Sequence, residues 1–258
     1  MERVGCLCIA LASPWLAGCT EMPPAAKQQL SDAEGAYRQE NYPAALSTLN
    51  TLLSQYPEYP EAADAYYLRA LCYAKQSNKQ KAVEDAQHSI RLCKQDDLKA
   101  KAHATAATLL WESGKTAAAI HHYAEALKGL PETPPTDLVR FRYGMCLQRE
   151  GQWRQAREQF TTISQKYAGS GLAEHARRMN EWPVDGFRIQ CGAFREPAEA
   201  NRLAEKLGKA GLAARMESRD RSGETLNTVY VGQYSRYDQA QQALRAVQRQ
   251  VSDAAIVP

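Results

Sequence analysis

Hydrophobic and polar residues alternate in two short stretches near the end of the chain, Phe187–Phe194 and Val229–Tyr234. Successive side chains of a β-strand point to opposite faces of a sheet, so the alternation predicts two strands that are each buried on one face. Each predicted strand runs into a glycine turn and an aromatic residue. The residues predicted to face the core are Ile189, Cys191, Val229 and Val231. The residues predicted to face away from it are Arg188, Gln190, Leu226, Thr228 and Tyr230.

Two helices and two further strands are predicted around these stretches. Residues 198–207 and 236–250 carry apolar residues at helical spacing, which indicates one buried stripe on each helix. Residues 213–219 and 254–257 alternate as strands do. The predicted order is β-α-β-β-α-β, which folds as a four-stranded antiparallel sheet. Helices that pack on one face of such a sheet leave its other face open.

The middle of the chain repeats with a period of 37 residues. Alanine recurs at Ala45, Ala82, Ala119 and Ala156. Five residues before each alanine comes a predicted turn position, and these positions are Glu40, Ser77, Gly114 and Gly151. Small residues at a fixed spacing allow paired helices to pack closely. The pattern therefore predicts an all-α solenoid over residues 27–180, which ends in a solvating helix at 171–180.

The C-terminal region resembles the SPOR (sporulation-related repeat) family. The resemblance lies in the Ile189–Phe194 run, the Gly211 turn and the Val229–Tyr234 run, and it covers roughly residues 186 to 258. It implies that residues 187–258 bind peptidoglycan glycan strands that lack stem peptides and are enriched at the division septum.

The family binds glycan on the sheet face, and the glutamine of its first strand, here Gln190, belongs to that surface. Some members have serine where this chain has Ala193, and some have an aromatic residue near Leu226. Tyr230 is therefore the candidate sugar platform. The candidate glycan-binding residues are Gln190, Arg188, Tyr230, Thr228 and Leu226. The alternative for Gln190 is a strand residue that is simply exposed to water.

The repeats resemble the tetratricopeptide repeat, about four copies of a helix-turn-helix unit. The family binds extended peptides or protein segments along a concave groove, so the resemblance implies an unidentified periplasmic protein partner. The candidate groove residues are Tyr37, Tyr67, Lys75, Trp111, Phe141 and Arg149. The alternative is that Tyr67, Trp111 and Phe141 pack between repeats.

The N-terminus is typical of a secreted bacterial lipoprotein. An apolar segment follows Arg3 and ends in Leu16-Ala17-Gly18-Cys19, which resembles a lipobox. The resemblance implies that residues 1–18 are a signal peptide, that Cys19 carries lipid and that residues 19–26 form a tether. Thr20 after the cysteine resembles the residue found in lipoproteins that are sorted to the outer membrane. Several acyl chains on one residue would anchor the protein to the membrane stably.

Composition and charge exclude several other classes of function. The net charge is +3 with mixed signs throughout, so no footprint for nucleic acid is expected. We expect no cofactor and no catalytic site, because no constellation of catalytic residues was found. His121, His122 and Glu125 could suggest a metal site, but a solvated helix face is favoured and no metal is expected.

Four cysteines remain beyond the lipobox, Cys72, Cys93, Cys146 and Cys191. Buried free thiols are favoured, and a pairing of Cys72 with Cys93 is the alternative.

The expected molecule is a two-domain outer-membrane lipoprotein, in which residues 181–186 link the solenoid to the sheet domain. We expect it to bind denuded glycan at the septum and to recruit a protein through its repeats. Tetratricopeptide lipoproteins also assist outer-membrane protein assembly, which is one alternative. Another is an accessory factor for a wall amidase or synthase.

Overall fold

The computed structural model describes residues 21–182, 184–221 and 224–258. Its first part is a stack of antiparallel helix pairs closed by one shorter helix. The helices are α1 (Pro24–Arg38), α2 (Tyr42–Gln55), α3 (Ala62–Lys75), α4 (Lys79–Leu92), α5 (Asp96–Glu112), α6 (Thr116–Gly129), α7 (Thr136–Arg149), α8 (Trp153–Lys166) and α9 (Ala173–Asn180). The described helices include none that is long and apolar enough to cross a bilayer.

The turn inside each helix pair has the same backbone conformation. Glu40, Ser77, Gly114 and Gly151 have φ values of +58°, +61°, +75° and +78°. The residue type at this position varies, but the left-handed conformation recurs every 37 residues, so the repeat requires a backbone conformation at its turn position. Glycine meets it without strain, whereas the side chains of Glu40 and Ser77 raise its cost.

The alanines of the repeat sit where two helices cross. Ala45, Ala82, Ala119 and Ala156 are all fully buried. In the last pair Gly144 of α7 lies against Phe160 of α8, and a β-carbon on Gly144 would come within 2.7 Å of that ring. Small residues are therefore required because they allow the helices to approach closely enough to bury a large neighbour.

The first helix begins earlier than the sequence suggested. Met22 is 2% exposed and packs into the core of the first repeat, and α1 starts at Pro24. The Met22 backbone N–H also donates to Glu61 at 3.3 Å. Met22 and Ala26, which were expected in the tether, are thus buried against the array.

The second part is an α+β domain. Its elements are β1 (Phe187–Phe194), α10 (Pro197–Lys209), β2 (Ala214–Arg221), β3 (Glu224–Tyr234), α11 (Tyr237–Gln248) and β4 (Ala255–Val257). The sheet order is β2-β3-β1-β4 with all neighbours antiparallel, so the predicted fold class is confirmed. Both helices pack on the face formed by Ile189, Val229 and Val231.

An aromatic contact, here called the joint, connects the array to the sheet domain. Trp153 of α8 packs on Phe187 of β1 with ring centroids 5.0 Å apart, and Tyr237 meets Phe187 edge to face at 5.4 Å. The Trp153 indole N–H donates to the Ser235 carbonyl at 2.9 Å. Arg236 pairs with Glu150 at 2.8 Å. Apolar packing and directional bonds together fix how the two domains meet.

One arginine holds the segment that links the domains. Arg157 of α8 donates to the carbonyls of Asn180 and Trp182 at 2.9 and 3.2 Å and pairs with Asp185. Trp182 and Asp185 of the segment predicted as a linker are therefore held against α8.

Three histidines come together between α5 and α6. His103 and His122 place their Nδ1 atoms 3.0 Å apart, with the His121 ring beside them. His122 is thus not on a solvated face, because it is half-buried against His103, a residue that the sequence analysis did not connect with it. No group of three potential ligands among the described residues is placed to hold a metal ion.

The four described cysteines are free and buried. Burial raises the pKa of Cys72 and Cys191 to about 11 and that of Cys146 to about 12. A thiol with so high a pKa is scarcely ionised at neutral pH, so these residues act as packing groups.

The turn glycines yield a stability test. Gly114→Ala should reduce the free energy of unfolding by about 1–2 kcal/mol, because a left-handed φ is costly for any residue with a β-carbon. Gly151→Ala should lose more, because its β-carbon would also lie 3.0 Å from the Ser235 carbonyl across the joint. Urea unfolding followed by circular dichroism measures both.

Gly169→Ala is the matched control, because that glycine has no positive φ and no atom within 4 Å of an added β-carbon. It should leave stability nearly unchanged. Equal losses for Gly114→Ala and Gly151→Ala would contradict the joint.

The histidine pair predicts a pH dependence of stability. Burial, reinforced by His122, lowers the pKa of His103 to about 4, and burial also lowers that of His122. The unfolded chain therefore binds more protons than the folded one between these values and the ordinary pKa of about 6.5, so stability should be complete above pH 6.5 and fall toward pH 4. The loss is at most about 1.4 kcal/mol per pH unit for each histidine.

Thermal unfolding between pH 7 and pH 5 measures this slope, because that window lies above the ordinary pKa values of aspartate and glutamate, about 3.9 and 4.3. His103→Gln should flatten it, and His175→Gln on the exposed surface of α9 should not. An unchanged slope in His103→Gln would show that the pair does not control it.

Candidate functional site

The sheet has one face covered by helices and one that they leave open. Cys191, Leu207, Val247 and their neighbours bury the covered face against α10 and α11. The register pairs Gln190 with Tyr230, and it pairs Tyr230 with Arg215 on the next strand. These residues alternate with the core residues and therefore belong to the open face.

The two glycines of the sequence motifs, Gly192 and Gly232, lie inside strands. The sequence had predicted that they form turns, and that prediction was wrong. A register shift occurs next to each glycine. One shift lies on β1 between Gln190 and Gly192, and the other lies on β3 opposite the Phe187–Ile189 segment. A β-carbon on Gly192 would meet the Phe194 ring at 2.8 Å, and one on Gly232 would meet the Tyr234 ring at 2.5 Å. Each glycine allows the aromatic two residues later to fold back over the strand at a bulge.

Three of the candidate glycan-binding residues lie on the open face with part of their surface exposed. Gln190 is half-buried on β1, and Thr228 and Leu226 are half-buried on β3. Ala193, two positions from the start of the bulge, is exposed. The face thus presents an amide, a hydroxyl and an apolar side chain to solvent, which are groups that can contact sugar hydroxyls and C–H faces.

The other two candidates, Arg188 and Tyr230, are buried. Arg188 is 0% exposed and Tyr230 5% exposed, and the Arg188 guanidinium lies 3.9 Å from the centroid of the Tyr230 ring. Arg188 Nη1 also donates to both carboxylate oxygens of Glu217 at 2.7 and 2.8 Å. In this structure, then, Tyr230 is not an exposed sugar platform and Arg188 is not a surface contact, because each covers the other.

The charged residues of β2 were not among the candidate residues predicted from the sequence. Arg215, Glu217 and Arg219 lie opposite Tyr230, Thr228 and Leu226 and share the open face with them. The signal was present, because charges recur at every second position within a segment already predicted as a strand. The sequence motifs themselves lie on β1 and β3, so they do not point to β2.

The array carries a second candidate site. It is a groove of about 950 Å³ formed by the first helix of each helix pair. Residues from α1, α3, α5 and α7 line it. The lining includes Tyr37, Tyr67, Leu71, Ala104, Leu138 and Val139. Apolar and aromatic side chains make up much of the wall, as expected for a surface that takes up a protein segment.

Charged residues rim the groove. Lys101 pairs with Asp97 at 2.6 Å, and Lys79 pairs with Glu112 at 3.3 Å. Lys75 and Arg142 also line it, and Arg142 donates to Thr108 at 3.3 Å.

Three of the six candidate groove residues lie on its wall and three lie elsewhere. Tyr37, Tyr67 and Lys75 line the groove. Phe141 packs on the Phe160 ring at 5.7 Å, and the Arg149 guanidinium lies over Tyr237 at 4.7 Å in the joint. Trp111, the sixth, packs into the core between repeats beneath Arg142, whose guanidinium is 5.3 Å from its ring.

Comparison with known families matches both parts of the chain. The SPOR domain family matches residues 183–258. Two tetratricopeptide repeat families match residues 31–97 and 139–170. Both are families of binding domains. Comparison with curated proteins gives no significant match.

Solved structures resemble the array. One is YrrB, a TPR protein with an unusual peptide-binding site, at 20% identity and a TM-score of 0.52, covering 61% of this chain and 79% of that one. Another is a tetratricopeptide repeat protein from Parabacteroides merdae, at 12% identity and a TM-score of 0.52, covering 73% and 68%. At these identities the likeness concerns the fold alone. The family matches and the fold agree that this chain carries tetratricopeptide repeats followed by a SPOR domain.

Proposed function

We propose that this protein is a non-enzymatic lipoprotein of the outer membrane that binds denuded peptidoglycan at the division septum and scaffolds a protein partner. The observation that carries the proposal is the open face of the SPOR sheet, where Gln190 lies clear of both helices with Thr228 and Leu226 beside it. Peptidoglycan binding follows from the SPOR domain. The preference for strands without stem peptides and the septal location are the proposed part.

The chemistry of this face suits a bare glycan. A sugar strand offers hydroxyl and acetamide groups that an amide such as Gln190 can bond as both donor and acceptor. The side chain of Leu226 can cover an apolar sugar face, a role that buried Tyr230 does not perform. Gln190 on β1 and Thr228 and Leu226 on β3 spread these groups over two neighbouring strands, an extended surface that suits a glycan strand.

The membrane anchor is proposed from the lipobox at Leu16–Cys19, which lies outside the described residues. Met22 is already buried in the first repeat, so only two residues, Thr20 and Glu21, separate Cys19 from it, and the three Cα–Cα steps span at most about 10 Å. The array itself would then bridge most of the distance from membrane to wall. It would serve both as a spacer and as a docking platform.

The groove of the array is the proposed site for the protein partner. Its apolar wall and positively charged rim residues Lys75 and Arg142 suit an extended segment with apolar and acidic side chains. The same groove supports the second candidate function, assistance in outer-membrane protein assembly. A wall amidase or synthase as the partner would make the protein an accessory factor of that enzyme.

Gln190 provides the direct test. Gln190→Ala should weaken binding of the full chain to amidase-treated sacculi about two- to tenfold, the worth of one or two neutral hydrogen bonds. The measurement is a pull-down titration with sacculi before and after amidase treatment, in which the wild type should bind more after treatment.

Gln242→Ala is the matched control, because it removes the same group from the exposed surface of α11. It should bind as the wild type does. Equal binding by Gln190→Ala and wild type would exclude Gln190 from the contact, and equal binding before and after treatment would contradict the preference for denuded strands.

Septal location has its own test. A fluorescent fusion of the full chain should be enriched at division sites, and the same fusion with Gln190→Ala should be less enriched, because the amide that contacts the glycan is lost. Uniform fluorescence of the unmodified fusion would contradict the septal role. Reduced outer-membrane protein levels in a deletion strain with normal cell separation would favour assembly instead.

A further inference from the structure

Three arginines on the open sheet face share one carboxylate. Glu217 lies at the middle of β2 and receives both of its strong contacts from Arg188, at 2.7 and 2.8 Å. Arg215 and Arg219 approach the same carboxylate only to 3.4 Å. The two outer arginines are therefore held near Glu217 without a close partner of their own in the cluster.

This cluster carries an excess of positive charge. Burial alone would raise the pKa of Glu217, but the hydrogen bond from Arg188 and the charges of Arg215 and Arg219 outweigh it and lower the pKa. Glu217 is thus ionised at neutral pH, and three arginines against one glutamate leave a net charge of +2. One negative charge cannot neutralise the face, so an anion placed there would be stabilised.

The buried arginine adds an independent sign of an incomplete site. Arg188 is 0% exposed, yet its Nε and Nη2 atoms have no hydrogen-bond partner. Polar atoms that are buried in folded proteins are nearly always paired, and charged ones especially so. The Tyr230 ring offsets part of this cost through its π-face and Glu217 pairs with Nη1, but Nε and Nη2 remain without an acceptor.

The outer arginines are accessible to a ligand. The side chains of Arg215 and Arg219 are 50% and 43% exposed. They lie four residues apart on one strand, so their α-carbons are separated by about 13 Å at 3.3 Å per residue. Half-exposed guanidiniums recognise carboxylates by paired N–H donors, which gives both charge and geometry.

The proposed ligand supplies such a group. In muramic acid the lactyl carboxyl is joined to the stem peptide as a neutral amide, and removal of the peptide by amide hydrolysis leaves a free carboxylate. We propose that Arg215 and Arg219 form an anion subsite that binds this lactyl carboxylate. The inference rests on the proposed glycan function and gives it a physical basis, because each stripped muramic acid gains the negative charge that the face lacks.

The test uses two strand preparations and the full-length protein. One preparation is denuded glycan with free carboxylates, and the other is the same glycan with its carboxyls reduced to alcohols. Wild type should bind the first about tenfold more tightly than the second, the worth of one charge-assisted hydrogen bond. Arg215→Gln and Arg219→Gln should each reduce this ratio, and the double variant should bring it near one.

Arg202→Gln is the matched control, since Arg202 is 75% exposed on α10, on the helical side of the domain. It removes the same charge and should keep the wild-type ratio. Circular dichroism checks the folding of the variants, which should be retained because the substituted side chains are exposed. Vesicles that contain phosphatidylglycerol form a further arm, and wild type should not bind them in competition with the strands.

The outcomes separate the two proposals. If wild type binds both preparations equally, or if Arg202→Gln loses the ratio as the double variant does, the anion subsite is refuted and glycan binding stands. If wild type binds neither preparation, the proposed function fails. Displacement of the strands by the vesicles would replace the lactyl carboxylate with lipid phosphate and overturn the inference.

Discussion

The burial of one guanidinium organises the face on which this account depends. Arg188 is enclosed between the Tyr230 ring and the Glu217 carboxylate, so a charge that would cost several kcal/mol to bury unpaired is held by an ion pair and a π-face. Because Arg188 lies against the Tyr230 ring, that ring is not available to contact sugar. Arg188 also makes the closest contacts to the Glu217 carboxylate, which leaves Arg215 and Arg219 only longer contacts of 3.4 Å. The polar and electrostatic character of the open face follows from this single arrangement.

The array determines how its helix pairs stack and how the last pair meets the sheet domain. Its helix pairs turn through the same left-handed position every 37 residues, and its alanines let the helices approach closely. The last pair then meets the sheet domain through Trp153, Phe187 and Tyr237. Because aromatic packing and hydrogen bonds connect the domains, the groove and the open face are held in a defined relation. A partner bound in the groove would therefore be presented to the wall at a set position.

Sequence periodicity predicted the fold well because both periods have a simple physical origin. The 37-residue spacing arises from the turns and helix crossings of each repeat. The two-residue alternation arises because successive strand residues face opposite sides of the sheet. The same alternation placed Gln190, Thr228 and Leu226 on the open face.

Burial of individual side chains was not predictable in this way. Which residues share a face follows from alternation, but Arg188 and Tyr230 are buried by each other across strands, and that depends on register and rotamer. Arg149 and Phe141 were misplaced for a related reason. They occupy helical positions that would face a groove in a uniform repeat, but the last repeat uses that surface to contact Tyr237 and Phe160.

The central claim is that glycan lies on the open face of the SPOR sheet. The most direct measurement is the change in backbone amide NMR signals of the full chain as denuded glycan strands are added. The account predicts perturbations that cluster on β1, β2 and β3, with the largest around Gln190, Thr228 and Arg215, while α10 and α11 stay unchanged. Perturbations confined to the helical side, or none at saturating glycan, would contradict it.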